Sequence, residues 1–166
     1  MRRACVGRLC RMPPRIIPGY RFCMTRQLSD FIGLWTISRH IDDRRVASGM
    51  GAARLVGTCD FTVYTEGLMQ DEQGLLSMPG VDTPFEAARR YMWRADAALI
   101  SVFFDDGRYF HSFDPNQAHP EADHDCTPDR YEVRYDFSEW PIWRARWRVT
   151  GPRKDYVSVT TYRKSA

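Results

Sequence analysis

The run Phe31-Ile32-Gly33-Leu34-Trp35-Thr36-Ile37 constrains this chain most, because it opens a strand on a Gly-x-Trp step and keeps alternating to Ile41. Phe31, Gly33, Trp35, Ile37, Arg39 and Ile41 fall on one face, with Ile32, Leu34, Thr36, Ser38 and His40 on the other. Further period-two stretches follow, among them residues 53–64, 131–137, 143–149 and 156–163. Leu99–Phe104 and Arg108–Phe113 flank Asp105-Asp106-Gly107, where Asp-Gly supplies the positive φ of a tight hairpin. Glu86-Ala87-Ala88-Arg89-Arg90 alone would suit a helix, but Tyr91-x-Trp93 and the place between strands predict a strand over 86–96. Residues 64–70 read as a short strand, Asp71-Glu72-Gln73-Gly74 as a turn, and residues 114–128 as a long polar loop. The pattern predicts an all-β domain, an up-and-down antiparallel β-barrel of about 8–10 strands that buries its own sheet edges. A two-sheet sandwich is the alternative, and it normally needs longer crossing connections.

Charge divides the chain. The net charge is +3, yet residues 1–24 hold Arg2, Arg3, Arg8, Arg11, Arg15 and Arg21 and no acid, so the remainder is mildly acidic. Such a body carries no electrostatic footprint for nucleic acid. Residues 1–24 are expected to be a disordered basic extension, either upstream of a start at Met24 or a targeting or partner-binding arm, and residues 25–166 the barrel domain. No apolar run reaches the roughly 18 residues of a membrane span. Only Cys59 and Cys126 lie in the domain, too few for a disulfide framework, which points to the cytoplasm.

Gly33-x-Trp35, the strand meander and a basic residue on the last strand resemble the lipocalin (calycin) superfamily. That resemblance implies a first-strand Trp35 at the closed barrel end, covered by a late basic side chain, with Arg163 the better match and Lys164 the other. The order of motifs is more similar to a bacterial family of small lipocalin-like proteins of unknown function. The matching motifs are Phe31-x-Gly33-x-Trp35, Tyr91-x-Trp93, Gly107-Arg108-x-Phe110-His111, His124-x-Cys126, Tyr131-x-Val133-x-Tyr135-Asp136-Phe137 and Gly151-Pro152-Arg153-Lys154-Asp155-Tyr156. The likeness implies a fold and no established activity.

The leading functional expectation is a small, partly apolar ligand held inside the barrel, with an acidic group as one option. Tyr91, Trp93, Tyr109, His111 and Tyr131 are candidate wall residues. Arg39, on the face of Trp35, needs a buried partner, either an internal carboxylate or that of a ligand; Arg90 and Arg94 are further candidates for this part. The rival is an enzyme in which His111 or His124 is the acid/base, with Cys126 or Asp129 assisting. His119, His124 and Cys126 are weak candidates for metal ligation, at a spacing that matches no zinc signature. No cofactor is implied: phosphate loops, nucleophile elbows and His-Glu-x-x-His are absent. A third alternative is a structural or partner-binding domain whose side chains fill the barrel. Arg144, Arg146 and Arg148 read as a solvated outer face, and the oligomeric state is left open.

Overall fold

A computed structural model describes residues 25–45 and 52–165; the predicted N-terminal extension lies outside them. A 3₁₀ turn, Leu28–Phe31, precedes ten strands: β1 (Gly33–Asp43), β2 (Ala52–Tyr64), β3 (Gly67–Ser77), β4 (Phe85–Asp96), β5 (Leu99–Phe104), β6 (Tyr109–Phe113), β7 (Glu121–Cys126), β8 (Asp129–Asp136), β9 (Trp143–Gly151) and β10 (Lys154–Lys164). All ten form one antiparallel sheet in the order β6-β5-β4-β3-β2-β1-β10-β9-β8-β7. Only the β1–β10 pairing joins strands distant in sequence. The sheet curls into a nearly closed up-and-down barrel, with β6 and β7 flanking an unbonded seam. Among the described residues, no helix is long and apolar enough to cross a membrane.

The opening motif builds the barrel's closed end. Asp30 Oδ2 accepts from the Gln27 backbone N–H at 2.8 Å, fixing the 3₁₀ turn. Phe31 then drops into the barrel, fully buried, 5.1 Å from Trp93, 5.1 Å from Trp140 and 5.7 Å from Trp143. Gly33, at φ +112°, turns the chain into β1 through a conformation that L side chains rarely adopt. Trp35 Nε1 donates back to Phe31 O at 2.8 Å, so its buried indole N–H is satisfied. The cation over the Trp35 ring is Lys164, its Nζ 5.3 Å from the centroid, and not Arg163. The register explains this correction: Lys164 lies opposite Trp35, and Arg163 opposite Thr36 on the outer face.

Two segments differ from their sequence reading. Asp71-Glu72-Gln73-Gly74 is not a turn but the middle of β3. Gly74 is paired with Gly57 on β2, and a Cβ on Gly57 would stand 2.0 Å from Gln73 O, so the glycine serves close strand approach. The supposed loop over 114–128 contains β7, which pairs with β8. Ahead of β7, the carbonyls of Ala118 and Pro120 accept from Phe137 and Tyr135, each at 2.9 Å, prolonging that pairing. The strand predicted over 86–96 is β4. On the outer face, Arg144 pairs with Asp136 and Glu139, and Arg134 with Glu121, as a solvated stripe would.

Candidate functional site

Inside the barrel, period-two alternation on β1, β3, β4 and β10 converges on one polar network. Glu72, 5% exposed, is its hub. Arg39 Nη2 donates to Glu72 Oε2 at 2.5 Å, and its Nε to Thr160 Oγ1 at 2.6 Å. Glu72 Oε1 accepts from Gln70 Nε2 at 2.9 Å and from Tyr162 OH at 2.6 Å. Trp93 Nε1 donates to Gln70 Oε1 at 2.6 Å. Burial alone would raise the Glu72 carboxyl, but Arg39 and the Tyr162 hydroxyl outweigh it and hold the group below its ordinary value. Of the two partners open to Arg39, an internal carboxylate or that of a ligand, the structure shows the internal one, Glu72.

Above this network lies a small cavity lined by Arg39, Glu72, Arg89, Tyr91, His111, Tyr135, Trp143 and Trp147 among others. Its enclosed volume is about 20 Å³, room for one water. It adjoins an open groove of about 820 Å³ lined by Asp60, Asp71, Ala88, Arg90, Phe104 and Asp105. Glu72, Arg89 and Tyr91 line both spaces, so groove and cavity meet at these three residues, a junction called the passage below. Arg89 is exposed and takes part in none of the ion pairs among the described residues, although its charge also helps to lower the Glu72 carboxyl. Arg90 and Arg94 instead pair outside the barrel, with Asp71 and Glu66.

His111 and Trp143 carry the unfinished hydrogen bonding of the cavity wall. His111 Nε2 sits 2.7 Å from Tyr135 OH, while its Nδ1 is buried without a partner. Trp143 Nε1 is likewise buried and unpartnered, with the indole stacked 3.7 Å from Tyr162. Burial, with His124 adding repulsion, pushes the His111 pKa down to about 3. The imidazole is thus neutral near pH 7, and a base this weak is mismatched to proton transfer there.

The remaining predicted residues divide by position. Tyr91 and Trp93 line the cavity. Tyr131 stands at the open end, where its hydroxyl accepts from Lys154 Nζ at 2.7 Å. Asp129 is held by the same Lys154 at 2.7 Å rather than facing His111. Tyr109 is 53% exposed and belongs to the outside, bonded to Ser112. The reason is a β-bulge: Val102 pairs with His111 and Phe103 with Tyr109, so Phe110 is the extra residue. The bulge turns both Phe110 and His111 inward, at 3% and 2% exposure. His124 faces inward from β7, 5.2 Å from the Phe110 ring, while Cys126 is exposed at the strand's end. His119 lies beyond the other end of β7, 3.5 Å from Asp136, so the three weak metal candidates do not converge. No group of three or more possible ligands occurs among the described residues.

The model of a family of unknown function, DUF6314, matches residues 31–164. The chain belongs to this family. The match takes in all ten strands, and with them the network, the cavity and the groove. No curated protein matches the sequence. The solved structure of the S-type phycobiliprotein lyase CPES from Guillardia theta is similar in fold, with TM-score 0.59 and 8% identity over 84% of this chain and 90% of that one. The redesigned β-barrel mFAP1, bound to DFHBI, matches with TM-score 0.38 and 10% identity over 82% of this chain and 97% of that one. At such identities the likeness to CPES is one of fold alone. The fold this DUF6314 member adopts is one able to enclose a ligand-sized cavity.

Sequence reasoning missed Glu72, Arg89, Phe110 and Trp147 as site residues. Arg89 was within reach, because it shares the parity of Tyr91 and Trp93.

Proposed function

We propose that this barrel, lipocalin-like in use as in architecture, binds a small, partly apolar ligand with an anionic group, lodged where the groove meets the cavity. The observation that carries this reading is Arg89: a guanidinium outside every ion pair of the described residues, in the wall of both spaces. A ligand carboxylate there gains a charge-assisted, potentially bidentate contact. Tyr91 and Phe104 offer the apolar part aromatic surface, and the orphaned nitrogens of His111 and Trp143 offer hydrogen bonds to whatever reaches deepest. The free thiols Cys59 and Cys126 support a reducing, cytoplasmic setting.

A titration of the purified protein with hexanoate and its neutral counterpart hexanamide tests the reading. Hexanoate is expected to bind at least about tenfold tighter, a difference of about 1.4 kcal/mol, and Arg89→Met to abolish that preference. Equal affinities for the two, or a preference that survives Arg89→Met, would overturn it. The second reading is a filled, structural barrel, favoured by the enclosed volume of only about 20 Å³. It predicts that neither compound binds.

A further inference from the structure

One side chain that lines the small cavity, Phe110 on β6, is packed among aromatic rings. The Phe110 ring is stacked with Tyr91, at 5.7 Å and 12°, and with Trp147, at 5.1 Å and 1°, and these two rings reach it from β4 and β9, on either side of β6 around the barrel. Three nearly parallel rings from β4, β6 and β9 thus span the barrel beside the passage marked by Arg89. Phe104, His124 and Tyr131 meet the edges or tilted faces of the same ring at 4.5, 5.2 and 6.0 Å. A slot with two parallel aromatic walls and an aromatic rim recognises a flat ring by its faces and edges.

Phe110 is also the residue of β6 best placed to leave. As the extra residue of the bulge, it has no partner in the β5–β6 ladder. β6 ends the sheet, and its far edge at the seam is unbonded. Turning this ring out would break no strand pairing and would add to the cavity it lines a space shaped for a planar ring.

We infer that Phe110 is an internal stand-in for the ligand's ring, and that the ligand class is planar aromatic acids, with the ring between Tyr91 and Trp147 and the acid at Arg89. This rests on the ligand-binding reading above and sharpens it, since hexanoate binding requires Arg89 but not the slot. Phe110 is then a gate and a specificity determinant: its own stacking energy is what a ligand must exceed, and only a flat ring recovers it on both faces.

The test is calorimetric titration of the wild-type chain, Phe110→Ala and Phe110→Leu with 2-naphthoate and with cyclohexanecarboxylate, an acid that lacks a planar ring. Phe110→Ala is expected to bind 2-naphthoate at least tenfold tighter than wild type, with Phe110→Leu in between. The gain for cyclohexanecarboxylate is expected to stay below threefold. Each variant is first checked for a single cooperative unfolding transition; if Phe110→Ala lacks one, Phe110→Leu carries the comparison. No gain for 2-naphthoate in a folded variant overturns the stand-in. Equal gains for both acids overturn the planar class. Both results leave the Arg89-dependent preference for hexanoate untouched, and only the loss of that preference removes the underlying reading.

Discussion

Replacing Arg39 with Met is expected to destabilise the barrel by about 3–5 kcal/mol, because it strands the Glu72 carboxylate in the interior. Arg39 and Glu72 are 7% and 5% exposed, so solvent does not replace the lost partner. Glu72→Leu is expected to cost a similar amount, since the guanidinium and the donors of Gln70 and Tyr162 then lose their acceptor. The double variant Arg39→Met/Glu72→Leu removes both charges and keeps apolar volume, and it is expected to recover at least half of the loss of either single change. Urea unfolding of the four proteins gives the coupling directly. A coupling energy above about 2 kcal/mol marks the pair as a unit, whereas additive losses would show that the two groups act separately.

Mild acid is expected to weaken the fold through His111. Its folded pKa of about 3 lies below the ordinary 6.5, so between these values the unfolded chain binds the proton and the folded one does not. Stability therefore falls as pH drops below 6.5, by up to about 1.4 kcal/mol per pH unit, or roughly 2–3 kcal/mol down to pH 4.5. The carboxylates contribute below this window: Glu72, held under its ordinary 4.5, loses its stabilising contribution only at lower pH. His111→Gln keeps a hydrogen-bonding group near Tyr135 and does not titrate. Thermal unfolding followed from pH 7 to 4.5 should show a steep decline in the wild type and a flattened one in His111→Gln. Parallel slopes would show that His111 is accessible to protons in the folded state.

These expectations could be drawn only partly from the sequence, for identifiable reasons. Gly33-x-Trp35 and the alternation that follows are strong local signals, and they placed Arg39 inside with the need for a carboxylate. Glu72 stayed hidden because Asp71-Glu72-Gln73-Gly74 has turn composition; its place in a strand depends on Gly57 and on Arg39, both distant in sequence. β7 escaped for a related reason, since its Glu121, Asp123 and Asp125 alternate with Ala122 and His124 between prolines and resemble solvated loop. Tyr109 was misplaced because parity holds only while the ladder is regular, and a bulge inverts it within one residue. The same bulge brought Phe110 into the slot, which no periodicity in Arg108–Phe113 announces. Trp35 found its cation on Lys164 because cross-strand register, not motif order, decides which side chain reaches the ring.

A crystal structure of the protein saturated with hexanoate shows whether an acid docks at Arg89, where groove and cavity meet. The expected density is a carboxylate within hydrogen-bond distance of the Arg89 guanidinium, with the alkyl chain beside Tyr91 and Phe104. Hexanoate bound elsewhere, or a passage left empty at saturation, would contradict it.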